Sequence, residues 1–217
     1  MNKVSIVPCF DYSATKEAIA RALDLLGGLE NIINPGDRVL LKPNILAASP
    51  PEAATTTHPA VVTAMCEFVL SAGGKPVVGD GAGISRPGAT AKALKASGIE
   101  EAALKAGARV VNFETAGFTL VEVPEPLQFR KLYIANPVLE ADVVISLPKL
   151  NLRIIRVLSR TSSGPFLLSA GKKLTFLENE TFLVKLLLMY IRLSSLILRL
   201  WMELSEWKEM GLHMESQ

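Results

Sequence analysis

The sequence predicts an α/β fold in which a mostly parallel sheet is flanked by helices. Three observations carry that reading. Short apolar runs closed by Pro or Gly alternate with segments of helical spacing; the helical segments are 10 to 15 residues long; and glycine pairs or Pro-Gly turns fall between them. Strands that alternate with helices pair in parallel and are covered on their faces, because each crossover lays a helix on the sheet.

The elements follow in order. Lys3–Val7, closed by Pro8, suits a buried strand. Ala14–Leu26 places Ala18, Ile19, Ala22, Leu23, Leu25 and Leu26 at helical spacing, and Gly27-Gly28 supplies the C-cap. After the Pro35-Gly36 turn, Arg38–Leu41 is the next strand. Thr57-His58-Pro59 is a helix start with Pro59 at the first helical position, and that helix runs to about Ala72 before Gly73-Gly74. Pro76–Gly79 is a strand, followed by a glycine-rich turn over Asp80–Gly88 and a helix from about Thr90. Arg109–Phe113 is a strand, Thr119–Val123 and Phe129–Ile134 form a hairpin across Pro124-Glu125-Pro126, and Val143–Leu147 is the last strand. The whole is a Rossmann-like layering.

Composition adds limits. The 217 residues are 49% apolar with a net charge of +2, so neither a nucleic-acid-binding basic face nor a disordered acidic run is present. Two cysteines, Cys9 and Cys66, cannot form a four-thiolate cluster or zinc site by themselves. The start lacks the apolar stretch and cleavage site of a signal peptide, so the expected compartment is the cytoplasm. The averages hide a break near residue 150. The first 150 residues hold 14 Lys+Arg, 15 Asp+Glu, 12 of the 13 prolines and 16 leucines; the remaining 67 hold 9 Lys+Arg, 6 Asp+Glu, both tryptophans and another 16 leucines. The two parts are therefore read separately, as a domain over 1–150 and a helical or disordered Leu-rich tail over 151–217.

Ligands of open parallel sheets bind outside the carboxyl ends of the strands, and four polar segments fall there. Lys42-Pro43-Asn44 follows the second strand, Thr55-Thr56-Thr57-His58-Pro59 leads into a helix, Asp80-Gly81-Ala82-Gly83 follows the third strand, and Pro148-Lys149 follows the last. Each has an ordinary structural reading as well. Lys42 reads as a solvated strand end, Thr57 as a helix cap, His58 as a structural histidine, and Gly81 and Gly83 as turn residues needing positive φ. Together, two lysines, a helix N-terminus with free N–H groups and a glycine turn describe a pocket for a phosphorylated or carboxylated small molecule. The candidate site is Lys42, Asn44, Thr56, His58, Asp80, Gly81, Gly83 and Lys149. Its lysines would counter ligand charge. Asp80 is left to orient a lysine, bind a ribose hydroxyl or take a metal.

The same segments resemble a known family. Leu40-Leu41-Lys42-Pro43-Asn44, Thr56-Thr57-His58-Pro59, Val78-Gly79-Asp80-Gly81-Ala82-Gly83 and the run Ala141–Leu150 stand in the order and at the spacing of the domain-of-unknown-function family 362. The resemblance implies an iron–sulfur association, because many members carry ferredoxin-type 4Fe–4S cysteines further along the chain; it implies no particular reaction. After Pro148-Lys149-Leu150 the pattern is lost, and no cluster-type cysteines follow, so no cofactor is expected in this chain.

The tail itself reads as the right gene in the wrong frame. If each new codon takes the last base of one residue and the first two of the next, Trp201-Met202 must read Asp and Met202-Glu203 must read Gly. Continuing gives D-G-x-x-x-[MV]-E-x-[ND]-G-x-x-[HY]-G, which is similar to a downstream segment of the family. The rival reading takes Leu183–Leu200, interrupted by Lys185, Arg192 and Arg199, as a helix for a partner or a membrane surface rather than a span. Three functions thus stay open: an enzyme completed by further chain, a small-molecule-binding module, and an interaction protein using the tail.

Overall fold

The computed structural model describes residues 4–82, 87–122 and 130–149, and the backbone of Ile197–Arg199. After a turn at Tyr12–Ala14, the elements are helix α1 (Thr15–Leu26), strand β1 (Arg38–Pro43), α2 (Pro59–Ser71), β2 (Lys75–Asp80), α3 (Ala89–Ala96), α4 (Ile99–Lys105), β3 (Arg109–Asn112), β4 (Phe118–Glu122), β5 (Lys131–Ala135), α5 (Asn136–Leu139), β6 (Val143–Leu147) and β7 (Ile197–Arg199). The architecture is α/β, as the alternation predicts. β3, β2, β1 and β6 form a parallel sheet in that order, and β7 adds a short parallel edge beside β6.

The sheet has two unlike faces. Val39, Leu41, Val78, Ile145 and Leu147 turn toward α1, α2 and α4, where Ile19, Met65, Cys66, Val69, Ile99 and Ala103 complete the larger core. Leu40, Val144 and Phe113 turn the other way, onto Leu132, Ile134 and Ala135 of the β4–β5 hairpin and Val138 of α5. The chain order explains the asymmetry. β1 to β2 and β2 to β3 are two crossovers stepping in one direction, so their helices share a face. The return from β3 to β6 crosses the opposite face and brings the hairpin with it. Every residue of β6, and of β1 after Arg38, is buried, as expected of central parallel strands.

Three expectations need correction. Val4–Val7 is not a strand: residues 4–10 form no ladder, and Val4 and Ile6 are 85% and 74% exposed. An apolar run becomes a strand only where a sheet edge offers unpaired N–H and C=O groups, and β7 occupies the edge beside β6. The helix from about Thr90 is two helices, α3 and α4. Gly98 breaks it at φ 71°, and a Cβ there would stand 3.3 Å from Pro59 Cγ at the start of α2. Finally, Ile197–Arg199, inside the run Leu183–Leu200 read as a helix, is a strand. The rest of that tail, like Lys3 and the Pro124-Glu125-Pro126 connection, lies outside the described residues.

Candidate functional site

β2 lies on one side of β1 and β6 on the other, so the order of connection reverses between β1 and β6. At such a switch point the loops leaving the two strands part and open a crevice at their carboxyl ends. The structure brings Lys42, Asn44, Thr56, His58, Asp80, Gly81 and Lys149 to this edge. Gly83 lies outside the described residues.

Lys42 and Asp80 form the inner layer. Their side chains are 1% and 0% exposed, and Lys42 Nζ lies 2.9 Å from Asp80 Oδ1. Lys42 also donates to the Pro43 carbonyl at 3.4 Å. The second Asp80 oxygen accepts from the Ile45 backbone N–H at 2.9 Å, and the Gly81 N–H donates to the same carboxylate. Burial pushes the Asp80 carboxyl above the usual carboxylate range, while the Lys42 charge and these N–H groups pull against that rise. Lys42 thus has a partner within the protein, and the group that stands beside the Asp80 carboxyl is a lysine. Gly81 does not adopt positive φ; its use here is the N–H it gives to Asp80.

A second layer ties the loops together. The Thr57 hydroxyl accepts from the Asn44 N–H at 2.8 Å and donates to the Leu147 carbonyl at 2.6 Å. The Asn44 carbonyl accepts from the Thr57 N–H at 3.0 Å, and its side chain donates to the Thr55 carbonyl at 3.3 Å. Thr57 therefore does not cap α2 but clamps the β1 and β6 loops. The cap is His58, whose Nδ1 accepts from the Ala60 N–H at 3.2 Å. Pro59 has no N–H, and the Val61 N–H bonds the His58 carbonyl at 3.0 Å. In the first turn of α2 the N–H groups of Ala60 and Val61 are therefore already taken.

The outer layer holds Lys149, His58 and Tyr12. The His58 and Tyr12 rings stack with centroids 3.5 Å apart and planes 10° from parallel. Lys149, 6% exposed, donates to the Tyr12 hydroxyl at 3.4 Å and has no carboxylate partner among the described residues. Burial first, and then the Lys149 charge, lowers the His58 pKa, with Glu52 opposing. His58 is thus held neutral with Nδ1 as acceptor, as its capping bond requires. Beside it Thr56 is 2% exposed, and its hydroxyl has no partner among the described residues. Tyr12, Thr57, His58, Val61, Leu147, Pro148 and Lys149 line a cavity of about 10 Å³, room for about one water. Tyr12 was not legible as a site residue. A lone aromatic after Asp11 carries no motif, and only the fold brings residues 12, 58 and 149 together.

The donors do not fit an iron–sulfur cluster. Four thiolates are needed, the sequence holds two cysteines, and Cys66 sits in the core with its thiol pushed up to about 12 by burial. Among the described residues no three His, Cys, Asp or Glu side chains stand together as a metal site.

Fold and site together define an α/β unit with a layered polar cluster at the switch point of its parallel sheet. The chain belongs to the family described as Domain of unknown function (DUF362), which residues 39–152 match. It is also similar to the Thylakoid-associated protein sll1697 of Synechocystis sp. (strain ATCC 27184 / PCC 6803 / Kazusa), at 32% identity over 158 residues. That alignment covers 69% of this chain and 45% of the relative, so the chain spans less than half the relative's length. No solved structure matches the chain. Among the described residues no helix is long and apolar enough to cross a membrane.

Proposed function

We propose that this unit binds a small anion, such as the phosphate or carboxylate of a larger molecule, at the carboxyl edge between β1 and β6. The observation that carries the reading is Lys149. An ammonium group taken out of water without a counter-charge is costly unless a ligand supplies one, and among the described residues Lys149 meets a hydroxyl at 3.4 Å and no carboxylate. The unpartnered Thr56 hydroxyl is a second donor at the same edge. Lys42 and Asp80 support the floor, and Tyr12 must move off His58 for a ligand larger than water to enter. The unit is then the binding half of a longer cytoplasmic protein; the family match ending at residue 152 favours a boundary near 150. Iron–sulfur chemistry would have to come from chain beyond this sequence. Membrane association, which the name of the Synechocystis relative suggests for that protein, is the alternative.

Inorganic phosphate titrated into the full chain by calorimetry tests the reading. Saturable binding that falls at least about tenfold in Lys149→Met, with the circular dichroism spectrum unchanged, is the expected result. Equal binding by the variant would sink it.

A further inference from the structure

A larger cavity, about 320 Å³, opens on the hairpin face of the sheet and runs along β3, from Arg109 at its start to Asn112 at its end. Its floor is Leu40, Val77 and Val111, one residue from each of three neighbouring strands. Its lid side is Pro137 of α5. The register brings two guanidinium groups to this face. Arg38 pairs in register with Lys75 and Leu40 with Val77, while Val77 also pairs with Arg109. Because side chains alternate along a strand, Arg38 and Leu40 share a face, as do Arg109 and Val111. Both arginines line the cavity, on either side of β2. Arg38 is engaged, with its Nε 3.7 Å from Asp142 and its backbone N–H donating to the same carboxylate at 2.8 Å. Arg109 has no carboxylate partner among the described residues. Glu140 also lines the cavity and is exposed to water.

We propose that this cavity is a second ligand site, taking a small apolar monocarboxylate whose carboxylate meets Arg109 and whose body lies over Leu40, Val77 and Val111. The volume stands at the lower end of the roughly 300–1,000 Å³ typical of small-molecule sites, and an apolar floor with a few placed polar groups is their usual composition. Arginine suits the role, since its planar fork matches a carboxylate bidentately and is less strongly hydrated than an ammonium. The site does not depend on the phosphate reading, since none of its lining residues lines the cavity between Tyr12, His58 and Lys149.

Calorimetric titration of the full chain with octanoate, 1-octanol and octylammonium separates charge from apolar contact. Octanoate binding at least about tenfold tighter than 1-octanol is expected, the scale of one charge-assisted hydrogen bond. Arg109→Gln, at an exposed position, should bring octanoate down to the octanol level. Val77→Trp, which fills the cavity, should lose both ligands, with circular dichroism reporting whether that variant is folded. Equal affinity for acid and alcohol, preference for octylammonium, or full octanoate affinity in Arg109→Gln would each overturn the site. Absence of binding by all three probes, as when another part of the chain fills the cavity, overturns it as well.

Discussion

Two regions of the parallel sheet, its carboxyl edge between β1 and β6 and its hairpin face, handle charge in opposite ways. At the carboxyl end the polar side chains are numerous and largely satisfied by one another. Lys42 answers Asp80, Asn44 and Thr57 exchange bonds, and His58 caps its own helix, so the enclosed space is about 10 Å³. On the hairpin face the floor is apolar, and about 320 Å³ stays open beside Arg109, which has no carboxylate partner among the described residues. A crowd of polar residues at a strand end is therefore weak evidence of a binding site. What matters is which group is left over after the internal pairs are made. At the carboxyl end, among the described residues, the groups left over include Lys149 and the hydroxyls of Thr55 and Thr56.

The sharpest test of this contrast is the most buried pair. Lys42→Met leaves the Asp80 carboxylate buried without its cation and should cost about 3–5 kcal/mol in urea denaturation. The loss should shrink as pH falls. With its folded-state pKa raised, Asp80 takes a proton more readily folded than unfolded, so stability is favoured below that pKa and lost as pH rises through it. The double variant Lys42→Met/Asp80→Asn should recover much of the loss. A Lys42→Met protein as stable as the parent would mean that this lysine is not paired internally, and the contrast between the two regions would fail.

The hairpin side is probed by Gly79. A Cβ at this position would stand 2.8 Å from both Phe113 Cε1 and the Val111 carbonyl oxygen, so Gly79→Ala forces β2 away from the residue that roofs this face. A loss of about 1–3 kcal/mol is expected, and octanoate affinity should fall with it, since Val77 and Val111 form the cavity floor. Unchanged octanoate binding in a destabilised Gly79→Ala protein would separate the cavity from the packing around Phe113.

Much of the fold was legible, because it rests on local patterns. The apolar runs of β1 and β6, the α1 spacing ending at Gly27, and Pro59 at the head of α2 all identify their elements without reference to neighbours. Val4–Val7 failed because strand formation depends on an available edge, which no local pattern reports. The break at Gly98 was missed because it answers to Pro59, forty residues away in sequence. In the site, residue types at strand ends pointed to the right edge, but their roles depended on partners. Thr57 reads as a cap by sequence, but its hydroxyl donates to the carbonyl of Leu147, ninety residues away. Tyr12 had no signal at all. Arg109 was invisible for a similar reason: only the register with Val77 gives its position meaning.

A smaller effect comes from His58. His58→Ala removes the cap on α2 and the ring stacked on Tyr12, and should cost about 1 kcal/mol. The parent's stability should also decline as pH falls below the ordinary histidine value of about 6.5. The unfolded chain then binds a proton that the folded chain, with its lowered pKa, resists. His58→Asn retains a capping oxygen, so it should keep most of the stability and lose this pH dependence. If the dependence persists in His58→Asn, some other group is the source.

The smallest stability change belongs to Lys149, and its smallness is the point. Removing a buried ammonium that lacks a carboxylate partner discards a desolvation cost along with one long hydrogen bond, so Lys149→Met should melt within about 3 °C of the parent, or above it. Phosphate, which stabilises any protein whose folded state alone binds it, should raise the melting temperature of the parent in proportion to the logarithm of its concentration and leave the variant unmoved. Lys42→Met and Lys149→Met then differ in kind: the first damages the fold, the second only its response to the anion. If Lys149→Met were as destabilising as Lys42→Met, Lys149 would be a structural partner like its neighbour, and the carboxyl edge would hold no group left over to bind a ligand.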